Sequence, residues 1–221
     1  MTTQPRRNLV LTIGRLKGSG GVQIGKQLAT RLGCTYLDKE ILIAAAGRLR
    51  ADPDYLQALD DKKLNFWERA RMEIRHGIPS EFYVPPPLNL QDSGLYEAEN
   101  AIIIEAASNG PVVVVGRAGF RILKDEPRLL SVFLHAPFEQ RVERVRNIYR
   151  LSSRDEAERV VRQSDRQREG FMKSVLGNEW LDPRNFQLCL DTGKLGIPVV
   201  TELVATAAVR MLTEERESLA S

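Results

Sequence analysis

The feature that most constrains this chain is a short apolar run followed by a cluster of glycines and then by a helical pattern. Residues 9–13 are apolar and rich in β-forming side chains, which predicts a buried strand. Three glycines follow within residues 18–21, and apolar residues then recur every fourth position at Ile24, Leu28 and Leu32. A strand, a glycine turn and an amphipathic helix in this order predict the opening unit of a parallel α/β sheet.

A glycine-rich turn between a strand and a helix has one leading chemical use, which is to bind an anion. The amides of the turn and of the first helical turn converge on the ligand, and the helix dipole adds to the attraction. Glycine allows the backbone to approach a phosphate closely and to adopt a positive φ. The alternative is a connection that binds nothing. The predicted phosphate-binding residues are Gly18, Ser19, Gly20, Gly21, Val22 and Gln23.

Composition excludes several classes of protein. The chain has 221 residues, 43% of them hydrophobic and 28% charged, which is typical of a folded domain and not of a disordered chain. Its formal net charge of +3 gives no general affinity for polyanions, so we do not expect a nucleic-acid partner. Two cysteines cannot form a disulfide scaffold, and the apolar run at 9–13 is too short to span a membrane. We therefore expect a cytoplasmic protein with no membrane partner.

The remaining pattern alternates strands with helices. Strands are predicted at 36–38, 112–115, 130–134 and 187–190, and helices at 41–77, 96–108, 137–176 and 199–212. Residues 78–94 contain four prolines and predict an exposed loop. This order favours a parallel sheet covered by helices on both faces.

Several motifs along the chain together resemble a known family. Residues 26–38 continue the glycine turn as Lys-Gln-Leu-Ala-Thr-Arg-Leu-Gly-Cys-Thr-Tyr-Leu-Asp, and Gly-Arg follows the strand at 112–115. Asp-Arg-Gln-Arg occurs at 165–168 and Asp-Thr-Gly-Lys-Leu-Gly at 191–196. The set resembles bacterial cytidylate kinases, and more closely the cytidylate kinase-like branch, which opens with Ser-Arg, two variable residues and Gly-Ser-Gly-Gly. The resemblance covers about residues 8–205.

The resemblance implies a three-layer α/β fold of the P-loop kinase type, with a parallel sheet and an arginine-rich helical lid. It implies a single domain over 1–221, with inserted acceptor-side helices at about 41–95 and the lid at about 150–180. The implied activity is ATP-dependent phosphoryl transfer, with Mg²⁺, to a nucleoside monophosphate such as CMP or dCMP or to a related small acceptor. The acceptor would bind near Asp38 and Arg117, and adenine near Asp191 and Thr192.

The glycine turn departs from the kinase pattern at two positions. The lysine that neutralises the terminal phosphates falls on Gly21, and the hydroxyl that holds Mg²⁺ falls on Gln23. Arg15 or Lys17 could supply the missing charge, and Ser19 the missing hydroxyl. The alternative for the two cations is that both are solvated.

The acceptor side departs from the pattern as well. Asp38 is followed by Lys39 where cytidylate kinases have threonine, and Arg117 by Ala118 where they have aspartate. Cytosine specificity is therefore not predicted. Asp38 could equally cap the helix that follows it.

The helical segment at 137–176 is rich in arginine and contains no lysine before residue 173. Arg159, Arg162 and Arg166 recur at spacings of three and four and so share one helix face. Together with Arg168, we expect Arg162 and Arg166 to reach the triphosphate when the lid closes. The polar interruption at 151–154 predicts two helices with a hinge between them.

Three other arginines of this segment, Arg141, Arg144 and Arg154, are predicted to be solvated and balanced by neighbouring acids. As a whole, the sequence leaves two alternatives to a nucleotide kinase open. One is a nucleotide-binding regulatory protein with a degenerate phosphate loop, and the other is a kinase whose acceptor is not a nucleotide. The sequence predicts no oligomeric state.

Overall fold

The computed structural model describes residues 8–39, 41–42, 93–177 and 181–218. The chain divides into two compact units, one formed by Met1–Asp38 with Ile103–Ser221 and the other by Lys39–Ile102. The helix predicted at 41–77 and the loop predicted at 78–94 lie almost wholly outside the described residues.

The first unit is built on a parallel sheet. Among the described residues its strands are β1 (Val10–Arg15), β2 (Thr35–Asp38), β3 (Val112–Val115), β4 (Leu129–His135) and β5 (Leu188–Asp191). The strand order is β2-β3-β1-β4-β5, and every pairing is parallel. Because β1 is central, the glycine turn that follows it lies between the carboxyl ends of β3 and β4.

Helices connect these strands. They are α1 (Gly21–Leu32), α2 (Ser93–Asn109), α3 (Gly119–Ile122), α4 (Phe138–Tyr149), α5 (Arg154–Leu176) and α6 (Ile197–Ser218), with a 3₁₀ turn at Pro183–Asn185. The interruption predicted at 151–154 is confirmed, since α4 ends at Tyr149 and α5 begins at Arg154, where Ser153 accepts a hydrogen bond from the Glu156 amide. The last helix begins two residues earlier and ends later than the predicted 199–212.

Successive side chains along each strand point to opposite faces of the sheet. Leu11 and Ile13 of β1 join the core that α1 and α6 cover, and Ile24 and Leu28 of α1 are fully buried in it. On the opposite face, Thr12 and Ser131 share a buried hydrogen bond of 2.9 Å between their hydroxyls. Helix α3 packs on that face, because a Cβ built on its Gly119 would lie 3.1 Å from Val114 and 3.3 Å from Thr12. The described part of the first unit is therefore a three-layer α/β structure, as predicted.

Strand β3 is buried throughout, with Val112–Val115 all at 0% exposure. Its apolar run is typical of a strand covered on both faces, and each valine contributes about 1.5 kcal/mol or more by leaving water. No helix among the described residues is both long and apolar enough to cross a membrane.

Helix α1 approaches the sheet closely at Gly25, where a Cβ would lie 2.6 Å from Cγ2 of Val115 and 3.1 Å from the Tyr36 ring. We predict that Gly25→Ala lowers the free energy of unfolding by about 1–2 kcal/mol, because the methyl group overpacks this contact. Gly170→Ala in α5 is the matched control, since a Cβ at Gly170 meets nothing within 4 Å. It should raise stability by about 0.5–1 kcal/mol through helix propensity. Urea denaturation of both variants measures the two changes in the free energy of unfolding. Equal changes in the two variants would contradict the close packing of α1.

Candidate functional site

The turn between β1 and α1 uses glycine where the backbone is left-handed and crowded. Gly18 has a φ of +80° and Gly20 a φ of +82°. A Cβ at Gly18 would lie 2.5 Å from the carbonyl oxygen of Arg141, and one at Gly20 would lie 2.8 Å from Cδ1 of Ile197. The left-handed conformation favours glycine at both positions, and at Gly18 the backbone of Arg141 also leaves no room for a side chain.

The first carbonyl groups of the turn are hydrogen-bonded to donors of the protein. The Ser19 hydroxyl donates to the Leu16 carbonyl at 2.8 Å, and the Ser19 amide donates to the same oxygen at 3.3 Å. Nη1 of Arg141, on α4, donates to the Lys17 carbonyl at 3.1 Å. These contacts hold the carbonyl side of the turn against α4.

The next two carbonyl groups are bonded in the same way. Nη1 of Arg144 lies 3.4 Å from the Gly18 carbonyl oxygen, and the Thr192 hydroxyl lies 2.9 Å from that of Ser19. Arg144 also donates to the hydroxyl and carbonyl oxygens of Thr192, at 2.9 Å and 2.7 Å. Thr192, just after β5, is fully buried. The turn is thus joined to both α4 and the end of β5.

The orientation of these carbonyls determines where the amides point. In a trans peptide the N–H group points opposite to the preceding C=O group. With the Lys17 and Ser19 carbonyls held by side chains of the protein, the amides of Gly18 and Gly20 face the other way. In the described part of the chain no acceptor is bonded to these two amides, nor to those of Gly21, Val22 and Gln23 in the first turn of α1. The turn can therefore receive an anion on its amide side.

Arg15 runs from the end of β1 past the start of α1 toward Gly116. Its stem lies against Gly21, where a Cβ would be 2.9 Å from Arg15 Cγ and 3.4 Å from Cδ. Its guanidinium lies against Gly116 at the end of β3, where a Cβ would be 2.8 Å from Arg15 Cζ. The side chain needs the absence of a Cβ at both glycines, and Gly21 is the position at which kinases carry lysine.

Lys17 points elsewhere. Its ammonium group donates to the Tyr149 hydroxyl at 2.5 Å and lies 4.5 Å from the centre of the same ring. Of the two cations that the sequence offers in place of the lysine, Arg15 lies along the start of α1 and Lys17 contacts the end of α4.

The predicted metal ligand Ser19 is fully buried, and its hydroxyl is engaged with Leu16. Gln23, the usual position of the metal-binding hydroxyl, is exposed. Within the described ranges no three His, Cys, Asp or Glu side chains group to hold a metal. These residues do not form a protein-built Mg²⁺ site, and Ser19 as a ligand stays a prediction.

The prediction that Arg141 and Arg144 are solvated is wrong. Arg141 is only 7% exposed, and its Nε donates to the Ala136 carbonyl at 3.1 Å in addition to its contact with the turn. Arg154 is exposed, as predicted, and pairs with Glu139 and Glu158.

Helix α5 brings Arg168 to the turn. Burial and the nearby guanidinium groups of Arg15 and Arg141 lower the pKa of Arg168 to about 9, and Asp165 offsets them only in part. Arg168 is still cationic at neutral pH, and a phosphate oxygen beside it would stabilise that charge.

The other predicted lid arginines lie on the exposed side of α5 in this structure. Arg162 is 58% exposed, stacks 4.2 Å from the ring centre of Phe138 and pairs with Glu158 at 3.7 Å. Arg159 and Arg166 are exposed too. The contact of Arg162 and Arg166 with a triphosphate stays a prediction.

The predicted acceptor residues end the two strands on one side of β1. Asp38, at the end of β2, is buried and accepts a hydrogen bond of 2.9 Å from the Tyr36 hydroxyl. Arg117 follows β3 with a φ of 55°, and its guanidinium lies 4.8 Å from the ring centre of Phe171 in α5. A left-handed arginine costs roughly 1–2 kcal/mol, and such strain is frequent at ligand sites.

Asp191 forms the turn after β5. Its Oδ1 accepts from the amides of Gly193 at 2.8 Å and Lys194 at 3.2 Å. Desolvation alone would raise the pKa of Asp191, but these two hydrogen bonds and the charges of His135 and Lys194 lower it overall. The geometry is that of a turn-forming aspartate, and adenine binding by Asp191 and Thr192 stays a prediction.

A parallel sheet in the order β2-β3-β1-β4-β5, whose central strand leads through a glycine turn into a helix, agrees with the P-loop kinase class of fold. The sequence matches the model of the cytidylate kinase-like family over residues 10–194. The chain belongs to this family.

A solved structure with a TM-score above 0.5 supports the fold, and two kinases are similar at lower scores. An uncharacterized protein from Eubacterium ventriosum ATCC 27560 has a TM-score of 0.67 at 19% identity, covering 91% of this chain and 98% of its own. A gluconokinase from Sinorhizobium meliloti 1021 has a TM-score of 0.49 at 18% identity and coverages of 98% and 99%. A shikimate kinase from Acinetobacter baumannii in complex with shikimate has a TM-score of 0.47 at 14% identity, covering 93% of this chain and 95% of its own. No curated protein is a significant match.

The contact between Arg15 and Gly21 can be tested through stability alone. We predict that Gly21→Ala and Arg15→Ala are not additive, with an interaction free energy of about 1 kcal/mol, because removal of the Arg15 stem relieves the clash with the new methyl group. Urea denaturation of the wild type, both single variants and the double variant measures this term. As a control, the effects of Gly170→Ala and Arg15→Ala on the free energy of unfolding should be additive. Additivity at Gly21 as well would contradict the placement of Arg15.

Proposed function

We propose that the protein transfers the terminal phosphoryl group of ATP to a small acceptor, with a nucleoside monophosphate such as CMP or dCMP as the first candidate. Membership of the cytidylate kinase-like family supports phosphoryl transfer in general. The observation that carries the proposal is the turn itself, whose carbonyls are bonded to the protein and whose amides at Gly18 and Gly20 face the other side.

In this proposal Arg15 supplies the positive charge that lysine provides in other kinases. Phosphoryl transfer depends on positioning and on neutralising charge at the phosphates, so a cation beside the turn is needed. Arg15 begins at the end of β1, passes over Gly21 and reaches Gly116. A guanidinium in this position can donate to two phosphate oxygens at once. Arg168 adds a second cation from α5.

The acceptor would bind at the ends of β2 and β3. Arg117 offers a fork of donors for a phosphate, and the Asp38 carboxylate can accept from a hydroxyl or amino group of the acceptor. An acceptor that is already a phosphate anion needs no strong general base. Ala118, in place of the family's aspartate, leaves the identity of the base open.

Mg²⁺ accompanies ATP in kinases and is held largely by phosphate oxygens and water. The described residues fit that arrangement better than a protein-built site, because they contain no cluster of metal-binding side chains. We assign no step to a protein-bound metal ion.

The central test measures ADP production with a panel of nucleoside monophosphates. We predict that Arg15→Ala lowers kcat by about 10²–10³-fold, because it removes the charge that faces the transferred group. Introducing Gly21→Lys into the Arg15→Ala protein should raise kcat again by about tenfold or more, since a lysine then occupies its usual kinase position with the space that Arg15 has vacated.

Lys17→Ala is the matched comparison, because it removes the same charge from the same turn. Since the Lys17 ammonium contacts Tyr149, its loss should cost less than the loss of Arg15. An equal or greater loss in Lys17→Ala would contradict the assignment to Arg15.

The second candidate, a nucleotide-binding regulatory protein, is motivated by Gly21 and Gln23 at the lysine and hydroxyl positions. It predicts ATP binding but no turnover with any acceptor. Absence of ADP production across the monophosphate panel and with non-nucleotide acceptors, together with measurable ATP binding, would favour it over the kinase.

A further inference from the structure

Asp165 of α5 joins three parts of the site through one carboxylate. Its Oδ1 accepts from the Lys17 amide at 2.9 Å and lies 3.3 Å from Nη1 of Arg168. Its Oδ2 accepts from Nη1 of Arg141 at 2.5 Å. The carboxylate is 23% exposed and the Arg141 side chain 9%, so this contact is well shielded from water.

As a consequence, the Lys17 residue is held at both of its backbone polar groups. Asp165 accepts from its N–H, and Arg141 donates to its C=O at 3.1 Å. The same Nη1 of Arg141 bonds both Asp165 and the Lys17 carbonyl, so the carboxylate also fixes the guanidinium that holds the turn.

The orientation of the Lys17 carbonyl decides where the Gly18 amide points. Gly18 is left-handed, and a glycine at such a position can change its conformation at low cost. The turn therefore needs an outside constraint to present the amide on the open side. The hydrogen bonds of Asp165 and Arg141 are that constraint.

We infer that Asp165 is a positioning residue that sets the orientation of the phosphate-binding amides, so that ATP binding depends on the place of helix α5. Asp165 acts through Lys17 and Arg141, not by touching the nucleotide. This inference rests on the proposed function, because it assumes that the turn binds ATP.

The experiment compares Asp165→Ala and Asp165→Asn with the wild type by two measurements. Without nucleotide, hydrogen exchange at the Lys17 amide should become about tenfold faster in Asp165→Ala, because the variant lacks the acceptor of that amide, while exchange in β1 is unchanged. By calorimetry, the Kd for a non-hydrolysable ATP analogue should rise by about tenfold or more, because the amides are no longer pre-oriented. Asp165→Asn keeps an oxygen for the Lys17 amide and should lie between the two.

Glu169→Ala is the matched control. Glu169 lies on the same helix, is 47% exposed and pairs with Lys173. Its removal should leave both the exchange rates and the Kd unchanged. A purely structural role for Asp165 would lower the melting temperature but leave exchange at Lys17 in step with the rest of the fold.

Unchanged exchange at Lys17, or a Kd within twofold of the wild type in a folded Asp165 variant, would overturn the inference. If Asp165→Ala does not fold, the same two criteria apply to Asp165→Asn. If the wild type binds no ATP analogue, the proposed function fails, and the exchange measurement still decides whether Asp165 orders the turn.

Discussion

The site depends on hydrogen bonds from side chains to the carbonyl groups of one short turn. Arg141, Arg144 and Thr192 each donate to a backbone oxygen between Lys17 and Ser19. A turn with two left-handed glycines has several backbone arrangements of similar energy, and these bonds select the one with its amides on the open side. The conformation of the turn is therefore a product of tertiary structure, in which α4 and the end of β5 fix a segment that precedes them in the chain by more than a hundred residues.

The contacts of the Arg15 side chain explain why glycine stands at position 21, where kinases have lysine. A side chain at Gly21 would meet the Arg15 stem, and one at Gly116 would meet its guanidinium. In the proposed function, arginine from the end of β1 takes the role that lysine from the start of α1 has in other kinases. On this proposal, the chain could neutralise the terminal phosphates without the usual lysine.

The order of elements around the turn was predictable from local pattern. Within single segments, the spacing of apolar residues predicted which side chains are buried. This holds for the apolar run before the glycines, for Ile24 and Leu28 of α1, and for the four valines of β3. The break between α4 and α5 was equally visible in the polar residues that separate them.

The roles of Arg141 and Thr192 could not be read in this way, because their partners are distant in sequence. A signal for Arg141 nevertheless existed, since it precedes the buried Val145 by four residues and so shares its helix face. Asp165 follows the buried Val161 by the same spacing. A charged residue within an apolar stripe indicates a buried polar contact, whereas Arg162 lies off that stripe and is exposed.

The most direct measurement is a titration of the ¹⁵N-labelled protein with a non-hydrolysable ATP analogue, followed through the backbone amide resonances. If the turn receives the polyphosphate, the Gly18, Gly20 and Gly21 amides shift most and become protected from exchange. Saturable binding that leaves these three resonances in place, or no binding at all, would contradict the account.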